Sequence, residues 1–264
     1  MTFAHLYSSA LDQELGTDDS TRLFTTARRQ NAINLAQLQW CDLTECATRE
    51  STVTCSNGVG EYNLLSTVNV PSGDYLRLAN QGPEYHLISS GTTKSTTFSA
   101  GDNFLRRDIA WLNQNELGWR GSTGGTPTAY YERMDGGRRL LGLSPPPRIA
   151  SSETGKVILP YVAKPSTMVD DTSVPFTFGS TTRDDLSPYH MALVHFAASE
   201  LEKLRLNTEA SQIQLQIFMG YVTRFTQALR PKGMRTIRMA RNYFNERRRD
   251  RGESDVQQVP YPWV

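Results

Sequence analysis

The sequence predicts an α+β protein: a helical core, a β-rich insertion and an extended C-terminal arm. Three observations carry that expectation. Apolar residues recur at helical spacing near the N-terminus and again after residue 186. Between them, from about 61 to 182, short runs of Val, Ile, Tyr, Leu and Thr alternate with Gly, Pro, Asn and Asp clusters. Beyond Pro231, a basic segment leads into a terminus punctuated by Pro260 and Pro262. The chain of 264 residues is long enough for one large domain or two modest ones.

In chain order, the first helix is expected to open at Thr17, Asp18, Asp19 and Ser20, whose short polar side chains suit the positive end of a helix. It should run to about Ala47, with Leu23, Ala27, Leu35, Leu38 and Trp40 as its apolar positions. Residues 49–60, RESTVTCSNGVG, read as turn. Strands are expected over 61–68, 75–78, 84–89, 96–98, 128–133, 138–143 and 156–164, with a short helix inside 103–112. Asp135 and Gly136 sit where a tight hairpin needs a positive φ, and Pro145, Pro146 and Pro147 stop the second strand because proline has no N–H to give a ladder.

Ser187 as N-cap and Pro188 as first residue should start the next helix, with Tyr189, Leu193, Phe196, Ala197, Leu201 and Leu204 along one stripe. After a break at Arg205 to Thr208 a further helix carries two apolar stripes: Ile213, Ile217, Tyr221 and Ala228, and Leu215, Phe218, Val222, Phe225 and Leu229. A helix apolar on two sides can face its own core with one flank and a copy of itself with the other, or lie centrally in its own fold. Residues 234–249 form a basic helix whose apolar face is Met234, Ile237, Ala240 and Phe244. The domain reading is therefore residues 1–60 and 183–230 for the helical core, 61–182 for the insertion and 231–264 for the arm.

Charge is distributed unevenly. Between Arg224 and Arg251 ten basic residues stand against two acidic ones, a surplus of eight, although the whole chain carries only +1. Such asymmetry points to an acidic partner, whether protein carboxylates or nucleic-acid phosphates. No apolar run approaches the roughly 20 residues of a membrane span, and residues 1–15 lack a basic start followed by an apolar stretch, so no membrane partner or export is expected. Cys41, Cys46 and Cys55 lack the CxxC spacing of zinc or redox motifs, and His190 and His195 fall on different helical faces. No phosphate loop, nucleophile elbow or paired carboxylates assemble into an active site; the expectation is a protein without catalytic residues, metal or cofactor.

The order of the segments NAINLAQ (31–37), GEYNL (60–64), GTPTAYY (125–131), LGLSPPP (141–147), VILPYVAKP (157–165) and LSPYHMALVHFAASEL (186–201) resembles the head-to-tail connector, or adaptor, proteins of tailed bacteriophages. The resemblance spans most of residues 15–230. It implies a virion protein at the head–tail junction, made in the host cytoplasm, forming a ring of typically twelve copies beneath the portal around the exiting genomic DNA. It further implies subunit contacts through Leu193, Phe196, Leu215, Phe218, Val222 and Phe225. Arg235, Arg238, Arg241, Phe244, Arg248, Tyr261 and Trp263 would form a portal-docking arm. Tyr131, Asp135 and Arg138 on the hairpin would dock tail nozzle, tube or fibre proteins. The rival expectation from the residues alone is a nucleic-acid-binding protein acting through residues 232–251.

Overall fold

A computed structural model describes residues 1–16, 24–70, 73–89, 95–98, 104–116, 118–119 and 124–229. It is α+β, as the sequence predicts. Residues 1–223 form one compact unit, and of a second, 224–264, only the stretch up to Leu229 is described.

A helical run opens the chain: α1 (Phe3–His5), a π-helical turn (Leu6–Ala10) and α2 (Leu11–Leu15). Phe3, Leu6, Leu11 and Leu15 are buried, a stripe not read from the sequence. The expected capping residues Thr17 to Ser20 lie outside the described residues. α3 spans Thr26–Thr44, and its cap is Thr25, whose hydroxyl accepts the Arg28 N–H at 3.4 Å.

The buried face of α3 is Arg29, Ala32, Ile33, Ala36, Gln37, Trp40, Cys41 and Thr44, at strict helical spacing. Leu35, expected inside, is exposed. The phase was misread because two polar residues occupy the inner face. Each is there because its hydrogen bonds are met: Arg29 Nε donates to Phe24 O at 2.9 Å and its guanidinium reaches Asp12 at 2.5 Å. Gln37 donates to Ser166 O at 3.0 Å and accepts from the Phe176 N–H at 2.6 Å. Asn34 holds Met168 the same way, donating to its carbonyl and accepting from its N–H. Asn34 and Gln37 of the NAINLAQ segment thus strap the chain that follows the large sheet onto α3.

Strands begin earlier than expected. Residues 49–55 are strand rather than turn, because β1 (Thr48–Cys55) turns Ser51, Val53 and Cys55 inward in alternation, and the expected turn begins only after Cys55. It pairs antiparallel with β9 (Glu153–Ala163), the centre of a five-stranded sheet. On the other edge of β9 lie β4 (Glu84–Ser89), itself paired with β5 (Ser95–Phe98), and β3 (Tyr75–Leu78). β2 (Glu61–Asn63), β6 (Leu105–Arg106), β7 (Ala129–Asp135) and β8 (Arg138–Ser144) form the second sheet, in the order β2-β8-β7-β6. A short helix α4 (Ile109–Asn115), capped by Asp108, packs Leu112 with Trp119 against Tyr131 of β7. β10 (Thr177–Phe178) and β11 (Thr181–Thr182) make a small separate ribbon.

The hairpin β7–β8 forms as predicted, but its left-handed residues are Gly136 and Gly137 (φ 53° and 80°). Asp135 instead closes the ladder opposite Arg138. The proline run leaves β8 and uses its carbonyls: Pro147 O accepts from Gly58 N–H and Pro146 O from Gly125 N–H, both at 2.8 Å.

After β11, Ser187 and Pro188 belong to a 3-10 segment (Asp184–Tyr189), and α5 begins only at His190, running to Leu204. α6 spans Thr208–Leu229. Trp40 of α3 is the hub of this helical layer, with its ring against Phe176, Tyr189 and Phe218.

Candidate interaction surfaces

α6 settles which of its two apolar stripes faces inward. Ser211, Phe218, Val222 and Phe225 are buried. Phe218 lies 5.0 Å ring to ring from Phe196 of α5, and Ser211 shares a hydrogen bond of 3.1 Å with Ser199. Beside them, Gln214 Oε1 accepts from His195 Nδ1 at 2.7 Å and its Nε2 donates to Glu14 of α2 at 3.1 Å, tying three helices together. The opposite face carries Ile213, Ile217 and Gly220, four and then three residues apart. Ile213 is 51% exposed and Ile217 39%, and a Cβ on Gly220 would meet nothing within 4 Å.

This corrects the expected subunit contacts. Leu193, Phe196, Phe218, Val222 and Phe225 are all buried within the single chain, and Leu215 is half-buried. Leu193, Phe196, Phe218 and Val222 build the interior of the first unit itself. Ile213 and Ile217 of the other stripe stay open, and that stripe's periodicity is identical and therefore gives no sign of which one turns in.

The hairpin divides in the same way. Tyr131, expected to dock tail components, is buried against Trp119, with ring centroids 5.2 Å apart, and its hydroxyl donates to Glu61 at 2.8 Å. Burial follows from register: Tyr131 stands opposite Gly142, and its ring lies where a Cβ at that glycine would come within 1.9 Å. Asp135 and Arg138 are at the exposed tip, next to Met134, which is 66% exposed.

Below the tip, the Arg133 guanidinium grips Glu61 with two parallel bonds of 2.8 and 2.7 Å. Those bonds hold the Arg133 pKa above its usual value. A cleft of about 500 Å³ lies beside this pair, walled by Trp119, Tyr131 and Pro146. Farther along β7, Glu132 accepts from Tyr75 of β3 at 2.5 Å and lies 3.5 Å from both Arg106 and Arg139, so one carboxylate joins the two sheets. Neither Glu61 nor Glu132 was singled out from sequence. Arg133 is 72 residues from Glu61 and Tyr75 is 57 from Glu132, and only the tertiary fold brings them together.

The arm residues Arg235, Arg238, Arg241, Phe244, Arg248, Tyr261 and Trp263 lie outside the described residues. Among the described residues, no three His, Cys, Asp or Glu side chains gather in a way that could hold a metal ion, and no helix is long and apolar enough to cross a membrane. Both histidines of α5 are buried. Burial, reinforced by the Met1 ammonium, pushes His190 down to about 4. The cysteines are buried as well, but not equivalent: the Cys41 and Cys46 sulfurs are 3.5 Å apart, while Cys55 stands by itself in β1, raised by burial to about 11.

No protein-family model matches this chain, and no curated protein matches it either.

Proposed function

We propose that the protein is a non-enzymatic structural adaptor that joins the portal of a tailed bacteriophage to its tail, with copies of the chain closing a ring around the DNA path. One observation carries this reading. α6 is sealed on one face by its own protomer and remains apolar on the other, at Ile213 and Ile217, the arrangement expected of a helix that also serves a neighbour. Ring symmetry would repeat each such contact around the assembly, so individually weak contacts suffice. The hairpin supports the reading too. Its base is fixed by Tyr131, Glu61 and Arg133, and its tip presents Met134, Asp135 and Arg138, so little freedom is lost when the tip binds a tail component. The portal-docking arm in residues 231–264 rests on the sequence resemblance.

The test is electron microscopy of the protein mixed with portal-bearing capsids. A ring at one vertex is expected, and Ile217→Asp should prevent it while leaving the free protein folded. Removal of residues 253–264 should abolish attachment to the portal without unfolding the remainder. Binding of free DNA should be weak, independent of sequence and steeply salt-dependent. No ring, together with tight sequence-selective DNA binding, would replace this reading with that of a nucleic-acid-binding protein.

A further inference from the structure

The end of α3 is built so that two thiols meet. Glu45 adopts the left-handed conformation (φ 51°) just past the helix, and its N–H returns to the Cys41 carbonyl at 3.0 Å. In such a cap the residue after the left-handed one folds back over the residue whose carbonyl is bonded, and those two side chains ordinarily make an apolar contact. Here both are cysteine, Cys41 and Cys46, with sulfurs 3.5 Å apart.

The joint they occupy connects the two layers of the fold. Immediately after Cys46, Ala47 O accepts from Ala163 of β9 at 2.8 Å, and β1 begins at Thr48. Arg183 donates to the Cys46 carbonyl at 2.7 Å, bringing in the segment before α5. Arg77 of β3 binds Asp42 at 2.5 Å and Glu45 at 2.8 Å on the same turn.

We propose that Cys41 and Cys46 form an oxidation site at which a small two-electron oxidant of the peroxide class closes a disulfide across the α3 cap, pinning the helix-to-sheet joint. The environment assigns the roles. Cys46 loses its proton more readily than a free thiol, first because of the hydrogen bond its sulfur shares with Cys41 and then with help from Thr44 and the Arg183 charge, whereas Cys41 is held protonated. The Cys46 thiolate attacks one oxygen of hydrogen peroxide, the O–O bond breaks, and the departing hydroxide takes up a proton as water. Cys46 is then a sulfenic acid. The Cys41 sulfur attacks it, the S–O bond breaks, and the hydroxyl leaves as a second water with the Cys41 proton. Two thiols have lost two electrons and two protons, and one peroxide has become two waters. Cys46 is 6% exposed and Cys41 0%, which restricts the oxidant to one as small as a peroxide.

The experiment treats the full chain with stoichiometric hydrogen peroxide, alkylates it in denaturant and maps the thiols by mass spectrometry. The expected result is a 41–46 cross-link with Cys55 still free, so that three reactive thiols fall to one. The thermal midpoint should rise by about 5 °C and return on reduction with dithiothreitol. In Cys41→Ser, dimedone added together with denaturant after the peroxide should trap a sulfenic acid at Cys46, because nothing remains to resolve it. Oxygen adducts on wild-type Cys46 without a cross-link, any cross-link through Cys55, an inert wild type, or a midpoint that does not rise would each overturn the proposal.

Discussion

The helical layer and the hairpin sheet are held together by different physics. Around Trp40 the contacts are ring on ring and aliphatic on aliphatic: Phe218, Leu193 and Ile33 have no exposed surface, and the polar groups admitted there, Gln37 and Ser199, have partners. Stability in that layer comes from apolar burial, which charge screening by salt does not weaken. The β7–β8 sheet adds to its ladder and buried leucines a set of carboxylates gripped by arginines, Glu61 with Arg133 and Glu132 with Arg106 and Arg139. Several of these side chains are about a third exposed, where charge pairs are screened and individually weak. A large truncation in the first region should therefore cost several times what the loss of a charge costs in the second.

The sharpest way to break that contrast is Phe218→Ala. It leaves a cavity between Trp40 and Phe196 and should destabilise the protein by about 3–5 kcal/mol in denaturant unfolding. Ile217→Ala, one residue away on the open face, should change the free protein by less than about 0.5 kcal/mol. Equal costs for the two would mean that α6 is not sided as described.

Next in size is Gly142→Ala. The new methyl would collide with the Tyr131 ring, which cannot withdraw without abandoning Trp119 and Glu61, so a loss of about 2 kcal/mol is expected. The double change Gly142→Ala with Tyr131→Ala should show strong coupling between the two sites, and strict additivity would refute the clash.

His190 tests the helical layer's response to acid. Its pKa is depressed in the fold, so between about 6.5 and 4 the unfolded chain binds the proton that the folded chain refuses, and stability falls as pH falls through that window. The contribution is on the order of 3 kcal/mol. His190→Phe, beside the Phe176 ring, should flatten that part of the curve relative to wild type.

The smallest effect is expected from Glu61→Gln, which breaks the forked pair with Arg133 at a partly exposed site. A loss below about 1 kcal/mol, shrinking further at high salt, is expected in thermal unfolding. A loss as large as that of Phe218→Ala would erase the distinction between the two regions.

Much of the fold was legible in the chain because its signals are local. The limits of β3 and β4, the hairpin around Gly136, the stop at Pro145 and the break before Thr208 all follow from turn chemistry and side-chain period. Where polar residues have partners elsewhere, the local signal misled: Arg29 and Gln37 hid the inner face of α3, and the alternation of β1 passed for turn. The Cys41–Cys46 contact lies between these cases, written in a cap geometry that a positive φ at a glutamate does not advertise.

What the sequence determined by itself was the α+β class, the β7–β8 hairpin and the presence of two apolar stripes on α6. The tertiary structure alone decided that Phe218 and Val222 turn inward while Ile213 and Ile217 stay open, and that Tyr131 packs under the hairpin rather than on it. The physical reason is one of range. A helix or strand period is fixed by neighbours a few residues away, but which face is buried depends on what arrives from far along the chain: Trp40 from α3 and Glu61 from β2.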